Sequence, residues 1–291
     1  MKSRQKAILY IISAAFFFSL MNTFVRLAGD IPSIQKSFFR NLIAFIFAFV
    51  IMRKENVSIK PRKDALGGLM VRSVCGTVGI LCNFYAVDHL VIADASMLNK
   101  LSPFFAIIFS LLFLKEKVSL MQWMLVIGAF AGSLLIIKPS FSNADMFPAI
   151  IGFIGGMGAG AAYTAVRKLS GMGVKGTYVV FFFSGFSCLV TLPSLIFDYH
   201  SMTLIQLLYL ILAGCSAAAA QFSITAAYFN APAKEISVYD YSQVIFSAII
   251  GMIVFGQMPD IFSIAGYIII CAMAVIMFIR SKKASERTGS Q

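Results

Sequence analysis

The sequence predicts an all-α membrane protein with ten transmembrane helices arranged as two inverted five-helix repeats. Hydrophobic residues make up 59% of the 291 positions and charged residues only 12%, with a mean hydropathy of +0.88. Soluble domains carry about 25% charged residues, so this chain cannot build a water-soluble surface. Its apolar runs approach the roughly 20 residues that a spanning helix requires. A single offset of 141 positions relates the first half of the sequence to the second.

Ten apolar runs lie between clusters of charged and turn-forming residues, and each is predicted as a transmembrane span. In chain order the predicted spans are Ala7–Ala28, Ile34–Met52, Leu66–Val87, Ala93–Leu114, Leu120–Ile137, Phe147–Leu169, Thr177–Phe197, Leu204–Tyr228, Ile236–Gly256 and Ile261–Ile279. The first run has the basic flank of a secretory signal peptide, but it is too long and lacks a small-residue cleavage site. It is therefore predicted as the first span.

The net charge of +12 is distributed unevenly between alternate connections. Lysine and arginine concentrate at the N-terminus, in the connection 53–63 and in the C-terminal tail, whereas Asp30, Asp145 and Asp260 mark connections on the other side. This positive-inside pattern predicts a multi-pass protein of the plasma (inner) membrane with both termini cytoplasmic. The basic residues form no face interleaved with aromatic residues, so nucleic acid is not expected as a partner.

The internal repeat divides the chain into residues 1–140 and residues 141–291. The offset of 141 places Thr23-Phe24-Val25-Arg26 on Thr164-Ala165-Val166-Arg167 and Ser96 on Ser237. Because five is an odd number of spans, the second half must enter the membrane from the opposite side, which relates the halves by a pseudo-two-fold axis in the membrane plane. Such a repeat favours transport by alternating access, although duplication is also an economical way to build a large bundle.

One segment of the sequence carries a family likeness. The stretch Ala95-Ser96-Met97-Leu98-Asn99-Lys100-Leu101-Ser102-Pro103-Phe104, continued by Leu114-Lys115-Glu116-Lys117-Val118-Ser119, resembles the EamA signature of the drug/metabolite transporter superfamily. Arg40, and Tyr163 with Arg167, are similar to the family pattern. The resemblance implies ten helices, a central cavity and transport of small organic solutes. The second half departs from the pattern at Val244, where proline is usual, and at Gln257, where glutamate is usual, so whether span nine kinks like span four is left open.

Besides Lys36 and Lys168, five basic residues fall within the predicted spans: Arg26, Arg40, Arg72, Lys100 and Arg167. Each ionisable group inside a span costs about 2.5–3.5 kcal/mol on insertion scales, so its presence needs a reason. Few acidic residues lie as deep, and the interior is therefore predicted to be net positive. Arg26, Arg40 and Arg167 are predicted to have gating or electrostatic roles. The symmetry-related Arg26 and Arg167 would lie at opposite mouths, with snorkelling to the headgroups as the alternative.

Lys100 is the candidate that the pattern singles out in span four. Helical spacing puts it on one face with Ser96, Asn99 and Pro103, and proline frees a backbone carbonyl of the kind that lines cavities. The offset places Asn99 on Asp240 and Lys100 on Tyr241, so the equivalent face of span nine is also polar. Contact with substrate or a coupling ion is predicted for Lys100, and a structural pairing with Asp240 is the alternative.

The other predicted substrate-binding or translocation residues are Ser96, Asn99, Asp240, Tyr241, Tyr163, Asn22, Arg72 and Gln243. Polar residues of this kind also join spans through hydrogen bonds, which is the alternative role for each uncharged member.

The predicted function is a secondary transporter, a permease or exporter, of a small organic metabolite, with an anionic one suggested by the positive interior. A broad exporter of amino acids or amphiphilic drugs is the alternative; a channel or membrane scaffold would be a different class. An enzyme is least favoured because the only histidines, His89 and His200, lie in short outer connections. The lipid bilayer and a small-molecule substrate are the expected partners, with a coupling proton or counter-substrate and a homodimer left open, and no cofactor or metal is expected.

Overall fold

The computed structural model describes residues 3–58, 63–89, 98–137, 146–256 and 258–288, and the secondary structure in these ranges is helical without strands. The helices are α1 (Ser3–Leu27), α2 (Ser33–Lys54), α3 (Leu66–His89), α4 (Ser102–Leu114), α5 (Leu120–Ile137), α6 (Met146–Gly171), α7 (Gly176–Phe197), α8 (Leu204–Asn230), α9 (Ala233–Asp240), α10 (Ser242–Phe255) and α11 (Ile261–Thr288).

Within the described ranges, eight helical stretches are long and apolar enough to cross a membrane by length and composition. They are α1, α2, Leu66–Ala86 of α3, α6, α7, α8, the combined stretch Ala233–Phe255 and Ile261–Arg280 of α11. Two shorter apolar helices, Ser102–Phe113 and Leu120–Ile136, complete the set. Each of these ten stretches lies on one of the ten predicted spans, and the start predicted for span four, residues 93–97, lies outside the described residues. The chain is a multi-pass helical membrane protein.

The outer surface of the bundle is apolar. Large hydrophobic side chains such as Phe113, Leu120, Phe197 and Leu204 are exposed to between 73% and 87% of their area. A surface of this kind is suited to the hydrocarbon of a bilayer and not to water. The exposure therefore agrees with the apolar composition that predicted the membrane class.

Four helix pairs form the main packing contacts of the bundle: α1 with α8, α3 with α6, α2 with α7, and α5 with α11. Between α3 and α6 the backbones approach closely because glycines face each other. A Cβ built at Gly158 would lie 2.8 Å from the carbonyl oxygen of Cys75, and one built at Gly79 would lie 3.0 Å from the backbone nitrogen of Ala159. Small residues permit this approach, and the contact fixes α3 against α6.

We expect Gly158→Ala to destabilise the protein by about 1–3 kcal/mol, because its methyl group would collide with rigid backbone. The matched control is Gly171→Ala at the end of the same helix, where an added Cβ would meet nothing within 4 Å. Thermal unfolding of both variants in detergent measures the difference. Equal melting temperatures for the two variants would show that the close approach of α3 and α6 is not a constraint on the fold.

Candidate functional site

Two of the spans are interrupted inside the bundle. The first interruption lies at Lys100 and Leu101, immediately before α4, and the second lies at Tyr241, between α9 and α10. At the first, the Phe104 amide donates to the carbonyl of Leu101 at 3.0 Å instead of continuing the α-helical ladder to Lys100. At the second, the Val244 amide likewise donates to the carbonyl of Tyr241 at 3.0 Å and not to Asp240. Each interruption therefore leaves a main-chain carbonyl that needs another donor.

Each interrupted segment donates a hydrogen bond to the carbonyl that the other leaves unpaired. The hydroxyl of Tyr241 donates to the freed carbonyl of Lys100 at 3.0 Å. In return, the ammonium of Lys100 donates to the freed carbonyl of Asp240 at 3.4 Å and to its carboxylate Oδ2 at 3.2 Å. The same ammonium donates to Oε1 of Gln243 at 2.7 Å. All three donors of the lysine are thus used within the bundle. We call this set the cross-brace (Lys100, Asp240, Tyr241 and Gln243).

The second interruption shows that span nine is broken like span four, although Val244 stands where proline is usual. Proline explains the first interruption, because Pro103 has no amide hydrogen and its ring clashes with the preceding turn. The second span is interrupted without proline, at Tyr241. There the hydroxyl of Ser242 donates to the carbonyl of Tyr239 at 2.7 Å, a local bond that competes with helical pairing. The bonds from Lys100 and Tyr241 replace those that the two helices lose.

A large cavity of about 840 Å³ reaches the end of the bundle opposite the start of α1. Arg26, Asp30, Lys36 and Pro259 line it at that end, and the guanidinium of Arg26 lies 4.4 Å above the ring of Phe255. Deeper in the bundle, the polar lining consists of Ser19, Asn22, Thr23, Asn83, Asn99, Lys100, Gln243 and Ser247. The cavity therefore extends from one end of the bundle to the cross-brace.

A smaller cavity of about 120 Å³ lies beyond the cross-brace and shares Asn22, Asn83, Asn99, Lys100 and Gln243 with the large one. Its other polar lining residues are Arg40, Arg72, Tyr163, Ser102, Gln221 and Asp240. The ring of Tyr163 stacks on that of Tyr228, with centroids 5.0 Å apart, and the guanidinium of Arg72 lies 3.8 Å above the ring of Phe183. These ring contacts hold both side chains at the cavity wall.

The end of the bundle at which α1 begins is closed by ion pairs. Nε of Arg167 lies 3.4 Å from Oε1 of Glu116, and another guanidinium nitrogen of Arg167 donates to the carbonyl of Phe229 at 3.4 Å. Nε of Arg4 lies 3.0 Å from Oε2 of Glu235. The contacts of Arg167 join the ends of α4, α6 and α8, and the pair of Arg4 and Glu235 joins the start of α1 to the start of α9. The two ends of the bundle therefore differ: a cavity opens at one end, and ion pairs close the other.

The structure brings most of the predicted site residues together around the two cavities. Asn22, Asn99, Lys100 and Gln243 line both; Arg26 lines the large one; and Arg40, Arg72, Tyr163 and Asp240 line the small one. Tyr241 is fully buried behind the cavities and acts through its bond to Lys100. Arg167 lies at the closed end, away from both cavities, and Ser96 lies outside the described residues.

Sequence reasoning missed part of the lining. Ser19 and Thr23 line the large cavity, and the hydroxyl of Ser247 donates to that of Ser19 at 3.0 Å, which connects α1 to α10. The missed signal was helical spacing in the first span, since Ser19, Asn22, Thr23 and Arg26 lie on one face. Glu116 was recognised only as part of the family motif and not as the partner of Arg167.

We expect Lys100→Met to cost about 3–5 kcal/mol of stability, because it leaves the buried carboxylate of Asp240 without its cation. Lys100 and Asp240 are only 6% and 8% exposed, so the carboxylate lies in an environment where an unpaired charge is costly. The double variant Lys100→Met/Asp240→Asn removes both charges and should recover part of the loss. Melting temperatures of the two single variants and the double variant test this coupling. Additive losses in the double variant would contradict a coupled ion pair.

Comparison with known proteins identifies the family. The model of the EamA-like transporter family matches residues 5–138. The pseudopaline exporter CntI of Pseudomonas aeruginosa is 32% identical over 283 residues, covering 96% of this chain and 98% of the relative. The riboflavin transporter of Vibrio cholerae is 27% identical over 86% of this chain and 85% of the relative. The S-adenosylmethionine uptake transporter of Rickettsia bellii is 22% identical over 90% of this chain and 89% of the relative.

A protein of solved crystal structure superposes on the chain with a TM-score of 0.83, covering 97% of this chain and 99% of that one. The two sequences are 14% identical, so this likeness concerns the fold alone. The resemblance drawn from residues 95–119 is confirmed by the family match and by the full-length similarity to the exporter of Pseudomonas aeruginosa. The chain belongs to the EamA-like transporter family.

Proposed function

We propose that the protein is a secondary transporter that carries a small organic anion across the plasma (inner) membrane by alternating access. The observation that carries the proposal is the difference between the two ends of the bundle. A cavity of about 840 Å³ is open to one end and stops at the cross-brace, while ion pairs close the other end. A conformation open to one side only is what alternating access requires, and a continuous channel would not have this form.

The helix contacts support an inverted repeat as the basis of the motion. Under the offset of 141, the pair of α1 and α8 corresponds to the pair of α6 and α3, and both pairs pack extensively. The offset relates α2 to α7 and α5 to α11, and the two helices of each pair pack against each other. Two helices that are related by a two-fold axis and lie beside it would pack in this way. Exchanging the conformations of the two halves would therefore close the open end and open the closed one. Both termini are proposed to be cytoplasmic, from the positive-inside pattern.

The cavity lining supports an anionic substrate. The basic groups lining the two cavities include Arg26, Arg40, Arg72 and Lys100, of which Lys100 is paired with Asp240. The named relatives are associated with chemically different solutes: pseudopaline, riboflavin and S-adenosylmethionine. This variety supports a small metabolite as the class of substrate without selecting one. The same proposal includes a coupling proton or a counter-substrate that drives transport, and assembly of the protein as a homodimer.

Counterflow in proteoliposomes tests the proposal directly. We expect vesicles preloaded with a mixture of organic acids to accumulate at least one labelled carboxylate, whereas protein-free vesicles should not accumulate it. A solute that crosses by alternating access shows trans-stimulation, because the loaded carrier returns with cargo. Exclusive transport of cations would contradict the anionic substrate. Flux without saturation or trans-stimulation would contradict alternating access and favour a channel.

The ion pair at the closed end provides a second test. The pair of Arg167 and Glu116 is only partly exposed, so Glu116→Gln should weaken closure by about 1 kcal/mol, about a fivefold change in the population open at that end. Hydrogen–deuterium exchange at the ends of α4, α6 and α8 should become faster. The control is Glu55→Gln, whose pairing with Lys175 at 3.8 Å is well exposed. If both variants exchange like the parent protein, the Arg167 pair does not close this end.

A further inference from the structure

Two buried arginines in the small cavity have no anionic partner among the described residues. Arg40 is 7% exposed and Arg72 is 2% exposed, and Nε of each lacks a hydrogen-bond partner in that part of the chain. Ion pairs in the same part of the chain involve other cations, among them Arg4, Lys100, Arg167 and Lys175. A buried charge is costly unless it is paired and hydrogen-bonded. The two guanidiniums therefore lack compensation that the protein supplies elsewhere.

Lys100 lines the same cavity, and its charge is compensated by other side chains. Its ammonium donates to Asp240 and Gln243, and it thereby pairs with the one carboxylate that lines the small cavity within the described ranges. Arg72 has the ring of Phe183 at 3.8 Å, a cation–π contact that offsets part of its burial. Among the described residues, the cavity lining contains three basic residues and one acidic residue, which leaves an excess of positive charge at the two arginines.

The repeat offers no structural reason for these arginines. The offset of 141 places Phe181 at the position equivalent to Arg40 and Ala213 at the position equivalent to Arg72. A basic residue is therefore not required at these positions for the five-helix fold, since the second half folds with an aromatic and a small residue there. The pair of arginines is a property of the first half alone and breaks the symmetry of the cavity lining.

The size of the small cavity limits what it can hold. Its volume of about 120 Å³ corresponds to about four water molecules at roughly 30 Å³ each, which suits a single carboxylate or phosphate group. A whole metabolite requires more space, which the large cavity provides across the shared residues Asn22, Asn99 and Gln243. Guanidiniums match the geometry of both oxyanions through paired N–H donors.

We propose that Arg40 and Arg72 form an oxyanion subsite that binds a carboxylate or phosphate group of the substrate, while the remainder of the substrate lies in the large cavity. The subsite rests on the proposed function, because it assumes that the cavities receive a transported solute. It also assigns the recognition of charge to the arginines and leaves Lys100 to the cross-brace, where its donors are already used.

Ligand-induced thermal stabilisation of the purified protein tests the subsite without transport. The probes are citrate and succinate as carboxylates, glycerol 3-phosphate as a phosphate, and succinamide and glycerol as neutral analogues. At least one oxyanion should raise the melting temperature saturably, because a ligand stabilises the state it binds. The neutral analogues should not. The carboxylate and phosphate arms distinguish the two chemistries, and the absence of any shift with all three oxyanions would overturn the subsite.

Arginine variants locate the effect. Arg40→Gln and Arg72→Gln should weaken binding of the effective probe at least about tenfold, as expected for loss of a charge-assisted contact. Arg40→Lys and Arg72→Lys should recover part of the affinity. Arg53→Gln is the control, since Arg53 lies on the same helix as Arg40 and stacks on Phe49 at 5.1 Å, but is exposed and outside both cavities. Equal probe affinities in Arg40→Gln, Arg72→Gln and Arg53→Gln would overturn the subsite.

Two further readouts separate a ligand site from a structural role and from the proposed function. Without ligand, Arg40→Gln should melt no lower than Arg53→Gln, because it removes an uncompensated buried charge; a lower melting temperature would favour a structural arginine and count against the subsite. In proteoliposomes, a transported anion whose KM is unchanged in both arginine variants would overturn the subsite and leave the proposed function standing. Binding of an oxyanion that depends on the arginines, without transport of any solute, would support the subsite and contradict the proposed function.

Discussion

The interaction on which the interior depends is the reciprocal bonding between the two interrupted spans. Inside a membrane protein a freed backbone carbonyl has little access to water, so each interruption must find a donor within the protein. Tyr241 supplies one for the carbonyl of Lys100, and Lys100 supplies one for the carbonyl of Asp240. Neither span can be straightened or displaced alone without leaving the other's carbonyl unpaired. The cross-brace therefore couples the two halves at the point where both cavities meet.

This coupling also explains why a lysine can be tolerated there. Its cost of burial is offset by one carboxylate, one amide oxygen and one main-chain carbonyl. The arginines deeper in the cavity receive no such compensation from the described residues, apart from the ring beneath Arg72. The charge that the fold has neutralised and the charge that it has left uncompensated thus line the same small cavity.

The fold class and the span positions followed from the sequence because apolar length and charge alternation are local properties. Helical spacing also placed Lys100 on one face with Asn99. The polar face that the offset identified in span nine suggested Asp240 as an alternative structural partner of Lys100, and the structure places their charged groups 3.2 Å apart. The break at Tyr241 was missed because the usual cause, proline, is absent, and its actual partners come from a span about 140 residues earlier. The pairing of Arg167 with Glu116 was missed for the same reason, since it joins residues 51 apart in different helices. The inverted relation of the two halves stays a prediction that the helix contacts support.

The departures from symmetry determine what each end of the bundle can do. The ion pair of Arg167 and Glu116 closes one end of the bundle. The offset of 141 relates Arg167 to Arg26 and Glu116 to Gln257, so the corresponding positions at the other end hold an arginine and a glutamine. Gln257 lies outside the described residues, but its amide carries no charge with which to form an ion pair. In the conformation described, where this end is open, Arg26 stacks on Phe255. Under the proposed alternating access, an empty carrier would favour the conformation described, because the pair of Arg167 and Glu116 holds one end closed. In that proposal the conformational equilibrium shifts only when a bound substrate contributes contacts that favour the opposite state.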